Sequence, residues 1–149
     1  MSEVLNEKYT IRPAHDILYV SLAGSWSPND TLRFLTDYKR QVSKYFAQEW
    51  ACVMQLSELE MLIEEDFQIE TFKALNTWGF IKGMGAMAII VGHENRDHLL
   101  FQFEEILKGK QPFQTSVFRS NEEADAWLRL RGFKAKLLAE EYGALQFGS

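Results

Sequence analysis

An apolar segment bounded by glycines constrains the fold more than any other part of the sequence. Between Gly83 and Gly92, residues 86–91 read Ala-Met-Ala-Ile-Ile-Val without a polar side chain. A strand with one solvated face would alternate apolar and polar residues, so this run predicts a central strand that is buried on both faces. It is too short to cross a bilayer. We therefore expect helices above and below a mainly parallel sheet.

The composition limits the class of protein. Apolar residues make up 46% and charged residues 25% of the 149 residues, which is typical of a single globular domain. The 21 acidic residues outnumber the 16 basic ones, which argues against a nucleic-acid surface. The single cysteine, Cys52, cannot form an internal disulfide, and no charged-then-apolar leader precedes Tyr9. These features predict a cytoplasmic protein without membrane insertion.

Strands are expected to alternate with helices after an initial hairpin. Residues 9–13 and the period-two segment 17–24 form the hairpin around a His15-Asp16 turn. Residues 51–56 are the third strand, the glycine-bounded run is the fourth, and residues 115–118 are the fifth. The strand-rich start and the later alternation predict an α/β sandwich with right-handed crossovers.

Four helices are predicted from their start signals and apolar stripes. The start signals are Ser27 with Pro28, Glu65 or Asp66, Asn95, and Ser120 with Glu123. The inward stripe of the first helix is predicted to be Leu32, Leu35, Tyr38 and Val42 with Tyr45 or Phe46. Gly79 or Gly83 ends the second helix and Gly132 ends the fourth.

The segment between the third strand and the second helix has the most unusual composition. Its apolar residues are interrupted by five carboxylates, which are Glu58, Glu60, Glu64, Glu65 and Asp66. We interpret it as an exposed acidic loop that leads into the second helix. Carboxylates in the first turn of a helix oppose the positive end of its dipole, so ordinary helix-end preference explains part of this pattern.

The element order and three motifs resemble STAS-like proteins related to anti-sigma factor antagonists (SpoIIAA-like). The motifs are residues 20–24 (Val-Ser-Leu-Ala-Gly), residues 88–91 (Ala-Ile-Ile-Val) and residues 117–128, which end Ala-Asp-Ala-Trp-Leu. The resemblance covers residues 9–131 and implies one STAS-like domain of order ββαβαβαβα, with a mainly parallel sheet of about five strands. It leaves residues 132–149 as a C-terminal helical extension.

The resemblance implies a non-catalytic regulatory module that binds a protein partner or senses a small ligand, without a cofactor. In the antagonists, a serine that opens the second helix is phosphorylated within an Asp-Ser-Ser-Gly-like motif. Here Leu56-Ser57 matches the Leu-Ser that closes the third strand, but Gln55 replaces the aspartate. The motif region reads Ile-Glu-Glu-Asp-Phe over residues 63–67 and has no serine. The candidate interaction residues are Ser57, Glu58, Glu64, Glu65 and Asp66.

Catalytic and metal chemistry has weaker support. Cys52 lies in an apolar strand without a neighbouring cation and is expected to be an inert core thiol. His93, Asp97 and His98 follow the glycine-bounded strand, at the edge where open α/β sheets bind ligands. Their loose spacing makes them weak ligand candidates, and we expect no metal. Gly83-Met84-Gly85 precedes a strand, so it is not a phosphate-binding loop.

A second functional class stays open because the chain is rich in aromatic residues. The set comprises Trp26, Trp50, Trp78, Trp127, Phe34, Phe67, Phe80 and Phe101. Core packing explains most of them, and the others are candidates for a pocket or an interface. The alternative function is a carrier of an apolar small molecule or lipid, which needs a closed apolar cavity of about 300 Å³ or more. A hydrolase is a more distant third.

Residues 133–142 are predicted to form an additional helix. Its apolar face comprises Phe133, Leu137, Leu138 and Tyr142. A helix this short is marginal alone, so it must dock on its own sheet or on a second copy of the chain. We slightly favour a homodimer.

Overall fold

The computed structural model describes residues 2–92, 97–107 and 113–134, which form a six-stranded sheet with four helices. The strands are β1 (Val4–Leu5), β2 (Tyr9–Ala14), β3 (Ile17–Trp26), β4 (Trp50–Leu62), β5 (Met84–Ile90) and β6 (Gln114–Phe118). The helices are α1 (Pro28–Tyr45), α2 (Glu65–Ile81), α3 (Asp97–Leu107) and α4 (Asn121–Leu130). The predicted α/β class and alternation are confirmed, with β1 as an additional short strand. His93, Asn95 and the extension beyond Lys134 lie outside the described residues.

The strands lie in the sheet in the same order as in the chain. β1, β2 and β3 are antiparallel neighbours, whereas β3, β4, β5 and β6 are parallel. Crossovers of one hand between successive parallel neighbours place the connecting helices on one face of the sheet. The main core lies there, between the strands and α1, α2 and α3, and α4 packs on the opposite face in a smaller cluster.

β5 is buried on both faces, as the glycine-bounded run predicts. Met87 and Ile89 face the three-helix core, and Ala88 and Ile90 face α4. The expectation that this strand is central is wrong, because β5 is next to the edge strand β6. Two antiparallel strands are added beyond β3, so β3 and β4 form the middle of the sheet.

β4 is longer than the sequence indicates. It continues to Leu62 beside β3, whereas its pairing with β5 stops at Gln55 opposite Ile90. The acidic-loop interpretation is therefore wrong up to Leu62. Glu58 and Glu60 are exposed positions of a strand in which Leu59 and Leu62 are buried. Register shifts in the β3–β4 pairing interrupt the period-two pattern that would have revealed the strand.

The buried face of α1 is displaced from the predicted stripe. Leu32 is 49% exposed, whereas Phe34 is fully buried and packs edge-on against Trp26 with ring centroids 5.4 Å apart. Tyr38 and Val42 are buried as predicted. The Ser27 capping box with Asp30 fixes the start of α1, which confirms the predicted helix start.

Candidate functional site at the carboxyl edge of the sheet

A cleft of about 390 Å³ opens where β4, β5 and β6 end and α4 begins. One wall consists of Gln55, Ser57 and Glu58 from β4. The floor is the segment Ile90–Gly92, and the other wall is residues 119–122. Ligands of open α/β sheets bind outside the carboxyl ends of the strands, so this cleft is the candidate site.

The structure brings two of the predicted interaction residues, Ser57 and Glu58, into the cleft. The backbone N–H of Ser57 donates to Oε1 of Gln55 over 3.1 Å. Gly92 has a φ of 78°, in the left-handed region that favours glycine, and a Cβ there would lie 3.2 Å from the Cβ of Ser57. The wall and the floor of the cleft are therefore in close contact at this point.

The wall formed by residues 119–122 is held by hydrogen bonds. Nη1 of Arg119 donates to the Gly92 carbonyl over 3.3 Å, and Nε2 of Gln55 donates to Oδ1 of Asn121 over 3.5 Å. Ser120 caps α4 by accepting from the backbone N–H of Glu123 over 3.3 Å. The cap was predicted from Ser120 with Glu123, whereas Gln55, Arg119 and Asn121 were not predicted to be site residues. The available signal for Arg119 and Asn121 was the polar run Arg-Ser-Asn-Glu-Glu at residues 119–123, directly after a predicted strand.

The chemistry of the cleft is hydrogen bonding with mixed charge. Arg119 supplies a cation, and Glu58 and Glu122 supply carboxylates. The hydroxyl groups are those of Ser57 and Ser120, and the lining residues within the described part of the chain include no histidine or cysteine. The arrangement can bind polar groups of a peptide or a small molecule.

The other predicted interaction residues lie at the start of α2. Glu64 is the N-cap with a φ of 58°, and its side chain makes no capping hydrogen bond. Glu65 and Asp66 occupy the first turn. The Trp26 carbonyl holds this turn, because it accepts from the Ile63 backbone N–H over 2.8 Å and from Nε2 of Gln68 over 3.1 Å. Three successive carboxylates therefore stand at a fixed helix start.

The weak ligand candidates are not brought into a cluster by the described structure. Asp97 and His98 are exposed at the start of α3. Within residues 2–92, 97–107 and 113–134, no group of three or more His, Cys, Asp or Glu could hold a metal ion. Cys52 is fully buried beside Tyr38, and burial raises the pKa of its thiol to about 12. It is therefore a protonated core thiol.

The aromatic residues divide between the core and the surface. Trp26, Trp50 and Phe34 are fully buried in the main core. Trp127 is half-buried, with the Arg131 guanidinium 4.0 Å from its ring centroid. Phe67, Phe80 and Phe101 are 39%, 43% and 54% exposed. These last three are available for an interface.

The comparisons define the class of fold. No protein-family model and no curated protein matches the sequence. The structure is similar to that of an uncharacterised protein of the DUF3478 family with a SpoIIAA-like fold from Shewanella loihica PV-4. That similarity has 17% identity and a TM-score of 0.58, and covers 86% of this chain and 98% of that chain. The protein therefore has a SpoIIAA-like fold, as the sequence resemblance predicts.

A second similar structure is that of the anti-sigma factor antagonist SpoIIAA in its unphosphorylated form. It has 11% identity and a TM-score of 0.50, and covers 84% of this chain and 97% of that chain. At these identities the similarity defines the fold alone. Among the described helices, none is long and apolar enough to cross a membrane.

Proposed function

We propose that the protein is a non-catalytic regulatory module of the STAS type that binds a protein partner at the carboxyl edge of its sheet. The main support is that α2 opens with Glu64, Glu65 and Asp66, where the resembled antagonists carry a phosphorylated serine. The SpoIIAA-like fold and the cleft at the carboxyl ends of β4, β5 and β6 add to this support.

The permanent negative charge at the start of α2 would take the place of a phosphorylation switch. A phosphorylated serine carries about −1.5 to −2 charges at neutral pH, and successive carboxylates supply negative charge without a kinase. The helix dipole stabilises that charge at the N-terminus. Ser57, the nearest match to the family motif, lies in β4 and not at the helix start. We infer that partner binding is constitutive.

The carrier alternative has less support. An apolar cargo needs a closed apolar cavity, whereas Gln55, Arg119 and Asn121 line an open cleft. A polar ligand in this cleft would modulate the partner surface, and it is part of the same proposal.

We also propose that the module is cytoplasmic, where Cys52 stays reduced. We further propose that it forms a homodimer through the C-terminal extension. Phe133 is buried with Ile17 and Ala51 against the α4 face of the sheet. The backbone N–H of Lys134 donates to Oδ1 of Asp16 over 2.9 Å. The extension therefore begins from a fixed point on the domain.

Site-specific photo-crosslinking tests the proposed function. Benzoylphenylalanine is placed at Glu58 in the cleft or, as a matched control, at Gln48, which is exposed in the loop before β4. Each purified protein is irradiated in extract of the native host. A discrete crosslinked product is expected from position 58 and not from position 48. No product at either position, or the same product at both, would overturn the proposal.

A further inference from the structure

Exposed apolar side chains concentrate where β3, β4, α1 and α2 meet. Among the described residues, ten large hydrophobic side chains are exposed, and four of them lie in the first two turns of α1 or α2, at the end of β4 or in the loop between β4 and α2. The four, here called the apolar patch, are Leu32 (49% exposed), Met61 (46%), Ile63 (42%) and Phe67 (39%). Single exposed hydrophobic residues are ordinary, but a group of them marks an interaction surface.

A hydrogen-bond network fixes the backbone that carries the patch. The Trp26 carbonyl accepts from the Ile63 N–H and from the Gln68 amide. The Thr31 hydroxyl donates to Oε1 of Gln68. Leu32 follows Thr31 and Phe67 precedes Gln68 in the chain, so three patch residues are within one residue of this network. Thr31 and Gln68 are fully buried, so the patch stands on a rigid base.

The segment that supplies most of the patch is strongly acidic. From residue 55 to residue 72 the sequence contains six carboxylates and no lysine or arginine. Within the described residues, Glu70 pairs with Lys73 over 3.8 Å, and Glu60 accepts from the Ser25 hydroxyl over 3.2 Å. No ion pair of the described residues includes Glu58, Glu64 or Asp66, which are all exposed. On the side of β4 and α2, the patch is therefore bordered by carboxylates that have no ion-pair partner among the described residues.

We propose that the apolar patch binds a basic amphipathic segment of a partner protein. Apolar side chains of the segment cover Ile63 and Phe67, and its lysine or arginine side chains face the carboxylates of residues 58–66. Charge complementarity selects this occupant. A second copy would bring the same acidic border against itself across a two-fold axis, and anionic lipid would be repelled. This inference rests on the proposed function and names the chemistry of the partner.

A labelled amphipathic peptide of leucine and lysine is the probe, and the same peptide with glutamate at each lysine position is its control. Fluorescence anisotropy measures binding to the full chain. The lysine peptide is expected to bind, more weakly as salt is raised, and the glutamate peptide is not. Phe67→Ser should weaken binding about tenfold, the size expected for a central contact residue. The double variant Glu58→Gln/Asp66→Asn should also weaken binding of the lysine peptide, because it removes two negative charges and no apolar contact.

Ile81→Ser is the matched control, because Ile81 is 72% exposed at the other end of α2. This variant should bind like the unmodified protein. Failure of the lysine peptide to bind, or equal binding to the Phe67→Ser variant, would overturn the inference. The inference would also be overturned if sedimentation showed a dimer that Phe67→Ser abolishes. Binding to phosphatidylserine vesicles that Phe67→Ser abolishes would overturn it as well. A crosslink from position 58 without peptide binding would leave the proposed function intact and reject only the basic partner.

Discussion

Gly92 approaches Ser57 so closely that a Cβ on Gly92 would lie 3.2 Å from the Cβ of Ser57. This contact joins the end of β5 to the part of β4 that extends past it. Gly92 also has a φ of 78°, which a residue with a Cβ adopts only with strain. Both the backbone conformation and the close contact with Ser57 oppose a Cβ at position 92, so this end of the cleft floor favours glycine.

Gly92→Ala should lower the free energy of unfolding by about 1–3 kcal/mol, because strain and crowding add. Gly132→Ala is the matched control, since Gly132 has a φ of 90° and no atom of the described residues within 4 Å of its Cβ position. Urea denaturation of both variants measures the difference. Equal losses would show that contact with Ser57 adds nothing.

Ser57 should carry no phosphate in the native host. It is half-buried in the β4 wall of the cleft, and no serine stands at the start of α2. Intact-mass measurement of protein purified from the host, followed by peptide mapping, checks this expectation. Exposed Ser43 on α1 provides an internal comparison for unspecific modification. Stoichiometric phosphate on Ser57 would contradict both this prediction and the fixed-charge hypothesis.

Ile90→Asp should prevent folding. Ile90 is 1% exposed in the cluster under α4, where an unpaired carboxylate costs several kcal/mol, comparable with the whole stability of a small domain. Val117→Asp is the control, because Val117 on β6 is 49% exposed. Circular dichroism should show a folded Val117 variant and an unfolded Ile90 variant. A soluble Ile90 variant with an unchanged melting temperature would contradict the two-sided burial of β5.

Stability should decline in alkali partly through Cys52. Burial raises the pKa of its thiol from 9.0 to about 12, so the folded state retains a proton that the unfolded state loses. This contribution is complete below pH 9.0 and disappears as the pH rises towards about 12. Burial also raises the pKa of the neighbouring Tyr38 hydroxyl. Unfolding by urea across this range should therefore show a steeper loss for the unmodified protein than for Cys52→Ala, and equal slopes would refute the assignment to Cys52.

Ending the chain after Lys134 should convert a dimer into a folded monomer, because the C-terminal extension is proposed to form the dimer interface. The cut keeps Phe133 in its cluster and Lys134 on Asp16. Light scattering gives the mass of both proteins. A lower melting temperature without a change of mass would show that the extension covers its own sheet, and a full-length monomer at high concentration would end the dimer hypothesis.

Local signals predicted the elements that local interactions determine. The capping residues Ser27 and Ser120 placed the starts of α1 and α4, and continuous apolarity placed β5. The far half of β4 was missed because its pairing with β3 connects distant parts of the chain and is interrupted by register shifts. Leu32 and Phe34 both lie near an apolar stripe of α1, and only tertiary packing selects Phe34.

Only some of the cleft residues could be predicted from the sequence, because the cleft also depends on pairing between distant parts of the chain. Ser57 was identified because Leu56-Ser57 matches a family motif, and Glu58 because it belongs to the acidic run that follows. Gln55, Arg119 and Asn121 meet only after β4, β5 and β6 have paired, and no spacing along the chain records that meeting. The shape of the site therefore depends on strand register, which the sequence pattern specifies only in part.

The chain-ordered sheet has a consequence for synthesis on the ribosome. Each strand can join a neighbour that has already emerged, so no strand waits for a distant partner and loop-closure entropy stays low. The outer edge of β4 nevertheless lacks β5 until the α2 segment has been made, roughly one to four seconds at ordinary synthesis rates. An unpaired strand edge is a template for aggregation, and charged side chains on it act as gatekeepers. Glu58 and Glu60 stand on the part of β4 that β5 never covers, where charged side chains disfavour pairing with the strand edge of another chain.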